Sequence, residues 1–258
     1  MRKRRIALAF LVGHTLLASA ALAAPGLRLS WDHCAADGLV ANKAFACDTN
    51  AGSQILVGSF ELAAPVPFVT GLEMAMDFAS TSDAVPAWWQ FVDAANCRST
   101  ALTLPPVPPI GTSACIDLLG DTAAGGLGSY TTGLDGPNIA RLTLATVGQG
   151  VFDANAGVEY FAFGLAITNQ KTVGAAACGG CSKPMCIGLA EVRVHTSVTA
   201  NDVNLLGGPE SGVTWQGAQF TQYVVIRRPS RANSTITCLA AGVPTRRETW
   251  GAVKSLYH

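Results

Sequence analysis

The sequence predicts a mainly β fold, an antiparallel β-sandwich of about nine or ten strands with a short C-terminal amphipathic helix. Three observations carry this. Short segments alternate apolar and polar residues with period two. Gly-, Pro- and Asn-containing turn signals separate them, and no regular strand–helix alternation is present. All eight cysteines lie after the N-terminal segment, as in a domain stapled by disulfides.

The first residues read as a targeting segment. Arg2, Lys3, Arg4 and Arg5 precede an apolar run over 6–17, and Ala21-Leu-Ala23 is a small-x-small cleavage site. Residues 1–24 are therefore expected to be a signal peptide, 25–240 the sandwich and 241–258 a helical tail. The apolar run is too short for a membrane anchor, and no second run of spanning length follows. The expected location is secreted, periplasmic or cell-surface, where an even cysteine count implies bridges. Charged residues are 13% of the chain and the formal net charge is zero, so no basic field exists to hold nucleic acid.

Residues 27–31 form the first strand candidate. Cys34 and Cys47 bracket a polar loop and are expected to bridge. Residues 54–62 make the next strand, interrupted by Pro65 and Pro67. In 70–78, Leu72, Met74, Met76 and Phe78 share one face. A helix is compatible with those residue types, but Gly71 and the β-like flanks favour a strand. In an extended 86–92, Trp88 and Trp89 would point to opposite faces, one into the core. The Pro-Pro-Val-Pro-Pro run at 105–109 favours polyproline II, and a Cys97–Cys115 bridge would staple it.

Residues 129–134 and 139–147 flank Asp135-Gly-Pro-Asn138 and make a hairpin candidate. The stretch 158–196 reads as a strand, a loop with Cys178-Gly-Gly-Cys181-Ser-Lys-Pro-Met-Cys186, and a second strand: a crosslinked hairpin. Residues 201–212 read as a loop, 213–215 and 219–226 as the last strands, and 227–233 as a basic stretch. At the C-terminus, Thr245-Arg-Arg-Glu248 fits a capping box, and Trp250, Val253, Leu256 and Tyr257 share a helical face.

Several constellations carry alternative chemistry. Cys178, Cys181 and Cys186 with His195 or Cys238 could hold a metal, but only one C-x-x-C pair is present, and export favours disulfides. Redox catalysis lacks a βαβ context. Three clustered cysteines cannot satisfy one another. With the two local bridges assigned, parity predicts one bridge inside the cluster and one to Cys238. Asp48-Thr-Asn50-Ala-Gly52 and Asp153-Ala-Asn155-Ala-Gly157, followed by Glu159, resemble the start of a calcium loop; the alternative is Asx-turns, and the closing bidentate Glu is missing. Trp31, Trp88, Trp89, Trp215 and Tyr160 could stack sugars, against the commoner reading of core packing.

Catalytic signals are thin. Asp32 and His33 lie near Ser30, but strand neighbours point to opposite faces. Glu61, Glu73, Asp77 and Asp93 could supply a glycosidase pair, as could carboxylates in any chain of this length. His195 is expected on the solvent face beside Glu191 and Arg193. No catalytic residue is assigned and no cofactor beyond the calcium alternative.

Leu29-Ser-Trp-Asp-His-Cys34, the Cys178–Cys186 segment with Ile187, and Thr249-Trp-Gly-Ala-Val-Lys-Ser-Leu-Tyr257 together resemble a family of uncharacterised exported bacterial proteins. The resemblance covers nearly the whole mature chain and implies no activity. More distantly, the strand spacing is similar to cohesin and carbohydrate-binding sandwiches, a likeness of fold alone. The expectation is a non-enzymatic extracellular binding or structural module with a protein or glycan partner. The alternative is a secreted hydrolase acting on polysaccharide or another extracellular polymer.

Overall fold

A computed structural model describes residues 25–105, 114–120, 123–228 and 231–240. The expected signal peptide, the C-terminal helix and most of the proline run lie outside these residues.

The described chain is mainly β. Its strands in order are β1 (Gly26–Trp31), β2 (Asn42–Lys43), β3 (Ser53–Glu61), β4 (Val66–Ser80), β5 (Leu102–Thr103), β6 (Ile116–Asp117) and β7 (Ala124–Thr132). There follow β8 (Ile139–Ala154), β9 (Glu159–Thr168), β10 (Met185–Thr196), β11 (Val203–Leu206), β12 (Gly212–Trp215), β13 (Ala218–Arg228) and β14 (Arg231–Ala240). One sheet has the order β1-β3-β9-β5, with β6 also on β9. The other has the order β2-β12-β10-β4-β8-β7, with β11 also on β10. Pairing is antiparallel except for two short parallel pairs, β2–β12 and β6–β9.

β4 follows its period-two pattern. Leu72, Met74, Met76 and Phe78 are buried between the layers, and β10 and β8 pair on either side. Continuous pairing on both edges is what decides strand over helix here. Pro67 sits where the register of β4 against β8 shifts, a place where a missing N–H is tolerated.

The 158–196 stretch is not a hairpin. β9 belongs to the smaller sheet and β10 to the larger, so the cysteine loop crosses between layers. β9 is buried throughout from Glu159 to Ile167, with Phe163, Leu165 and Ile167 in the main core. Phe161 packs on the other side with Val57, Cys34 and Cys115. Five strands escaped the sequence reading, among them the two-residue β2, β5 and β6. β11 falls in the expected 201–212 loop, and β14 begins in the expected basic stretch.

All four tryptophans considered for sugar stacking are fully buried at 0% exposure. Trp88 and Trp89 lie on a 3₁₀ turn, Ala87–Trp89, rather than a strand, so both can point inward. Trp88 stacks on Trp215 at 5.6 Å between centroids, and Trp31 lies 5.8 Å from Trp215. Three of the four ring N–H groups are satisfied internally, Trp31 donating to Thr214 O, Trp88 to Thr172 Oγ1 and Trp215 to Cys181 O, while Trp89 Nε1 is buried without a hydrogen-bond acceptor among the described residues. The stacking platform expected of Trp88, Trp89 and Trp215 is therefore core, as is Tyr160. Arg98 belongs to the same cluster. Its guanidinium lies 3.5 Å from the Trp88 ring centroid and donates to the carbonyls of Gln170, Trp88 and Thr168. Burial pushes its pKa down to about 9, which leaves it charged at neutral pH.

The eight cysteines form four bridges: Cys34–Cys115, Cys47–Cys181, Cys97–Cys178 and Cys186–Cys238. The expected local bridges Cys34–Cys47 and Cys97–Cys115 do not form, and none lies inside the cluster. The reason is the crossing loop, which carries Cys178 to the 84–101 loop and Cys181 to the strand-poor segment before β3. The bridge from the cluster to Cys238 is present, through Cys186. Peptide mapping without reduction should recover these four linked pairs, and a Cys34–Cys47 peptide would contradict the topology. The Cys47–Cys181 bridge closes the longest loop, 134 residues in sequence. On a chain-entropy account a loop of that length is worth about 5 kcal/mol.

β13 and β14 form a separate two-stranded ribbon laid on the outer face of the larger sheet. The Cys186–Cys238 bridge fixes it covalently. Beneath it, Arg141 binds Asp77 through two hydrogen bonds of 2.7 and 2.8 Å and donates to Ala232 O on β14. Ser234 Oγ also donates to Asp77. Burial alone would lower the Arg141 pKa, but bonding to Asp77 holds it above its ordinary value. Tyr223 of β13 lies against Gly188, where an added Cβ would come within 2.5 Å of the phenol ring. The ribbon thus needs a glycine at that point of β10.

Candidate functional site

The ribbon covers only part of the outer face of the larger sheet. Register places the covered row as Gly188, Asp77 and Arg141 on β10, β4 and β8. Four to seven residues farther along, the outward row is His195 and Arg193 on β10, Gly71 and Glu73 on β4, Val147 and Ala145 on β8, and Ala124 and Gly126 on β7. This half is open. Its floor consists of small residues, so two adjoining hollows of about 480 and 330 Å³ run over it. Both are lined by Glu73, Ala145 and Val147; His195 borders the smaller, and the Gly125–Gly128 segment borders the larger.

A charged wall stands on one side. His195 Nδ1 lies 3.0 Å from Asp202 Oδ2, and its Nε2 lies 3.3 Å from Glu73 Oε2. Arg193 reaches the same Asp202 carboxylate at 3.3 Å. Burial acts to raise the Asp202 pKa, but the Thr196 amide, His195 and Arg193 outweigh it and hold the carboxyl below its ordinary value. Its contribution to stability is therefore present above the ordinary value of 3.8 and is lost as pH falls through the lower folded-state value. Glu73 is the accessible group of the set, with 57% of its side chain exposed.

An apolar group stands at the same end of the sheet. Phe68 is 54% exposed, and Val147 and Val151 are 56% exposed. Phe68 also adopts φ 58°, in the left-handed region that a bulky residue rarely enters. Two hydrogen bonds hold it there: its N–H donates to Asp153 Oδ1, and its C=O accepts from Ser197 N–H. Val198, also exposed, follows Ser197. Val92, the other bulky apolar residue with positive φ, is half-buried in the 84–101 loop. An aromatic ring held outward at a cost of about 1–3 kcal/mol in backbone strain is the local feature most suggestive of contact with something else.

The sequence candidates distribute differently from expectation. Cys178, Cys181 and Cys186 are all in disulfides, so no thiolate set remains for a metal or for redox chemistry. His195 lies on the outer face as expected. Asp153 serves as the acceptor that positions Phe68. Glu159 accepts from the Ala35 and Ala36 amides and from Ser59 Oγ. Asn155 N–H donates to Tyr160 Oη. Asn50 Oδ1 accepts from the Thr172 and Val173 amides, and Asp48 precedes it in the same loop. The described residues contain no group of three or more His, Cys, Asp or Glu side chains able to hold a metal. We expect the melting temperature to be the same with calcium and with chelator; a rise on adding calcium would restore the calcium reading.

Asp32 pairs with Lys43, His33 Nδ1 contacts Cys34 O, and the buried Ser30 hydroxyl accepts from Val40 N–H, so these three make no relay. Of the four carboxylates considered for glycoside hydrolysis, Glu61 pairs with buried Arg28 and Asp77 with Arg141 under the ribbon. Asp93 accepts from Ala95 N–H, and Glu73 faces His195. Sequence reasoning missed Phe68, Val198 and Asp202. Only the Pro-x-Pro spacing before Phe68 hinted at an irregular strand entry.

No family model and no curated protein matches the chain. Among solved structures, a cohesin module from a family 33 glycoside hydrolase of Clostridium perfringens ATCC13124 aligns at 11% identity with a TM-score of 0.32, covering 74% of this chain and 98% of that module. The likeness is distant and of fold alone, and nothing about function is drawn from it. None of the described helices is long and apolar enough to cross a membrane.

Proposed function

We propose that the protein is a non-catalytic extracellular binding module that docks a protein partner on the open half of its larger sheet. The observation that carries this is Phe68, exposed in a strained conformation beside an uncovered floor of small residues. Exposed aromatic anchors surrounded by less energetic contacts are the usual composition of binding hot spots. Four disulfides suit a chain working in an oxidising compartment. A protein partner is favoured over a glycan because the four described tryptophans are internal, leaving no indole face among the described residues for a sugar ring. It is favoured over hydrolysis because Glu61, Asp77 and Asp93 are each engaged by separate internal partners. The ligand chemistry follows from the site: an apolar side chain to meet Phe68, and a lysine or arginine to meet Glu73.

The test is binding of the mature, disulfide-bonded chain to a polysaccharide and oligosaccharide panel and to extracellular protein fractions, alongside glycosidase and esterase assays. The reading predicts retention of a protein component, lost in Phe68→Ala, with no turnover. Saturable glycan binding would reject the partner class, and turnover would reject the non-catalytic assignment.

A further inference from the structure

The larger sheet ends in β7, which pairs with β8 on one side and with no described strand on the other. Such an edge presents unpaired backbone N–H and C=O groups, and proteins ordinarily guard it with charges, proline, short length or a covering segment. Other sheet edges here are guarded. β2, β5 and β6 have two residues each. The far side of β1 is met by loops, with Leu29 N–H donating to Glu210 O and Trp31 N–H to Val40 O. The ribbon strands carry Arg227, Arg228 and Arg231.

β7 has little of this protection. Its nine residues, Ala-Gly-Gly-Leu-Gly-Ser-Tyr-Thr-Thr, include no charge and no proline, and most are exposed. A register shift lies between Leu127 and Tyr130, but the Ser129 amide there is taken inside the sheet by Thr143 Oγ1. In the outward row behind it on β8, Thr143, Ala145 and Val147 are uncharged, and the row's charge, Arg141, is paired with Asp77 under the ribbon.

We propose that β7 is a self-association edge, pairing antiparallel with β7 of a second copy across a two-fold axis so that the larger sheets become continuous. An isologous contact sets a surface against its own reverse, so any charge on it must meet a like or unlike charge by chance of register. An edge strand that itself carries no charge meets its own copy without repulsion, whereas it offers a charged partner strand nothing to pair with. Gly126 brings no side chain to the outer face, which lets the backbones approach. β7 borders the larger hollow of the docking face but does not include Phe68, so Phe68→Ala should leave self-association unchanged and the two readings fail separately.

Sedimentation velocity of the mature, disulfide-bonded chain from about 1 to about 100 μM tests it, since association follows mass action. The expected result is a monomer–dimer equilibrium that Gly126→Lys with Ala124→Lys weakens at least about tenfold. Both sites accept the change: a Cβ at Gly126 meets nothing within 4 Å, and Ala124 is exposed opposite uncharged Val147. Amide exchange adds a readout on the unmodified chain, with protection across 124–132 rising with concentration. A wild-type chain that stays monomeric throughout, a dimer unaffected by the two lysines, or exchange in β7 independent of concentration would each overturn the proposal.

Discussion

Replacing Arg98 with methionine is expected to lower the unfolding free energy by about 3–5 kcal/mol, measured by urea denaturation under non-reducing conditions. Methionine keeps apolar contact with Trp88 but removes every donor. The carbonyls of Gln170, Trp88 and Thr168 then lose their shared partner in a buried setting. An unsatisfied buried acceptor costs about 1–3 kcal/mol, and the three losses overlap because one side chain supplies all of them. Arg98→Lys should recover less than half of the loss. An ammonium is a compact donor that cannot span three carbonyls with the reach of a planar guanidinium. A change below about 1 kcal/mol for Arg98→Met would mean that the carbonyls find other donors and that Arg98 does not hold the 84–101 loop to the end of β9.

The second large effect is expected at Asp77. Asp77→Ala removes the bidentate partner of Arg141 and leaves the buried cation with Asp135 alone at 3.5 Å, a change that costs about 3 kcal/mol. Its signature should be local. The ribbon of β13 and β14 bonds to this pair through Ala232 O and Ser234 Oγ, so its amides should exchange faster while β3, β4 and β9 keep their protection. The Cys186–Cys238 bridge remains in the variant and tethers the loosened ribbon. Uniformly faster exchange across both sheets would show instead that the ribbon and sandwich unfold as one unit.

These effects mark what could and could not be read from residues. The alternation of Leu72, Met74, Met76 and Phe78 identified β4 because one face of that strand is core and the other is not. The same rule failed for β14, whose Asn-Ser-Thr-Ile-Thr-Cys run looks like a loop; its buried face lies against the polar Asp77–Arg141 pair, so serine fits there. Proximity in sequence misled twice. β9 and β10 follow each other yet belong to different sheets, and Cys34 and Cys47 are close in sequence yet bridge to Cys115 and Cys181. Parity did assign Cys238 to the cluster, although the two local bridges used in that elimination do not form. The tryptophans were weighed correctly as packing, but Trp88 and Trp89 could both turn inward only because they lie on a 3₁₀ turn.

The candidate site was the least legible part. Phe68 carries no motif. Its distinguishing property is a backbone angle, set by a register shift and by bonds to Asp153 and Ser197 from two other segments. The Asp153 loop was visible as a pattern, yet its oxygen faces a backbone amide. Asp202 lay in a stretch expected to be loop, and its role depends on β11 bringing it beside His195.

The docking face is tested most directly by comparing retention of extracellular proteins on immobilised wild-type chain, Phe68→Ala, Glu73→Lys and Val224→Ala. Val224 is exposed on the ribbon, away from the proposed face, and serves as the control. The account predicts one retained component that Phe68→Ala and Glu73→Lys each reduce at least about tenfold and that Val224→Ala leaves unchanged. Equal retention by all four chains, or loss in Val224→Ala alone, would contradict it.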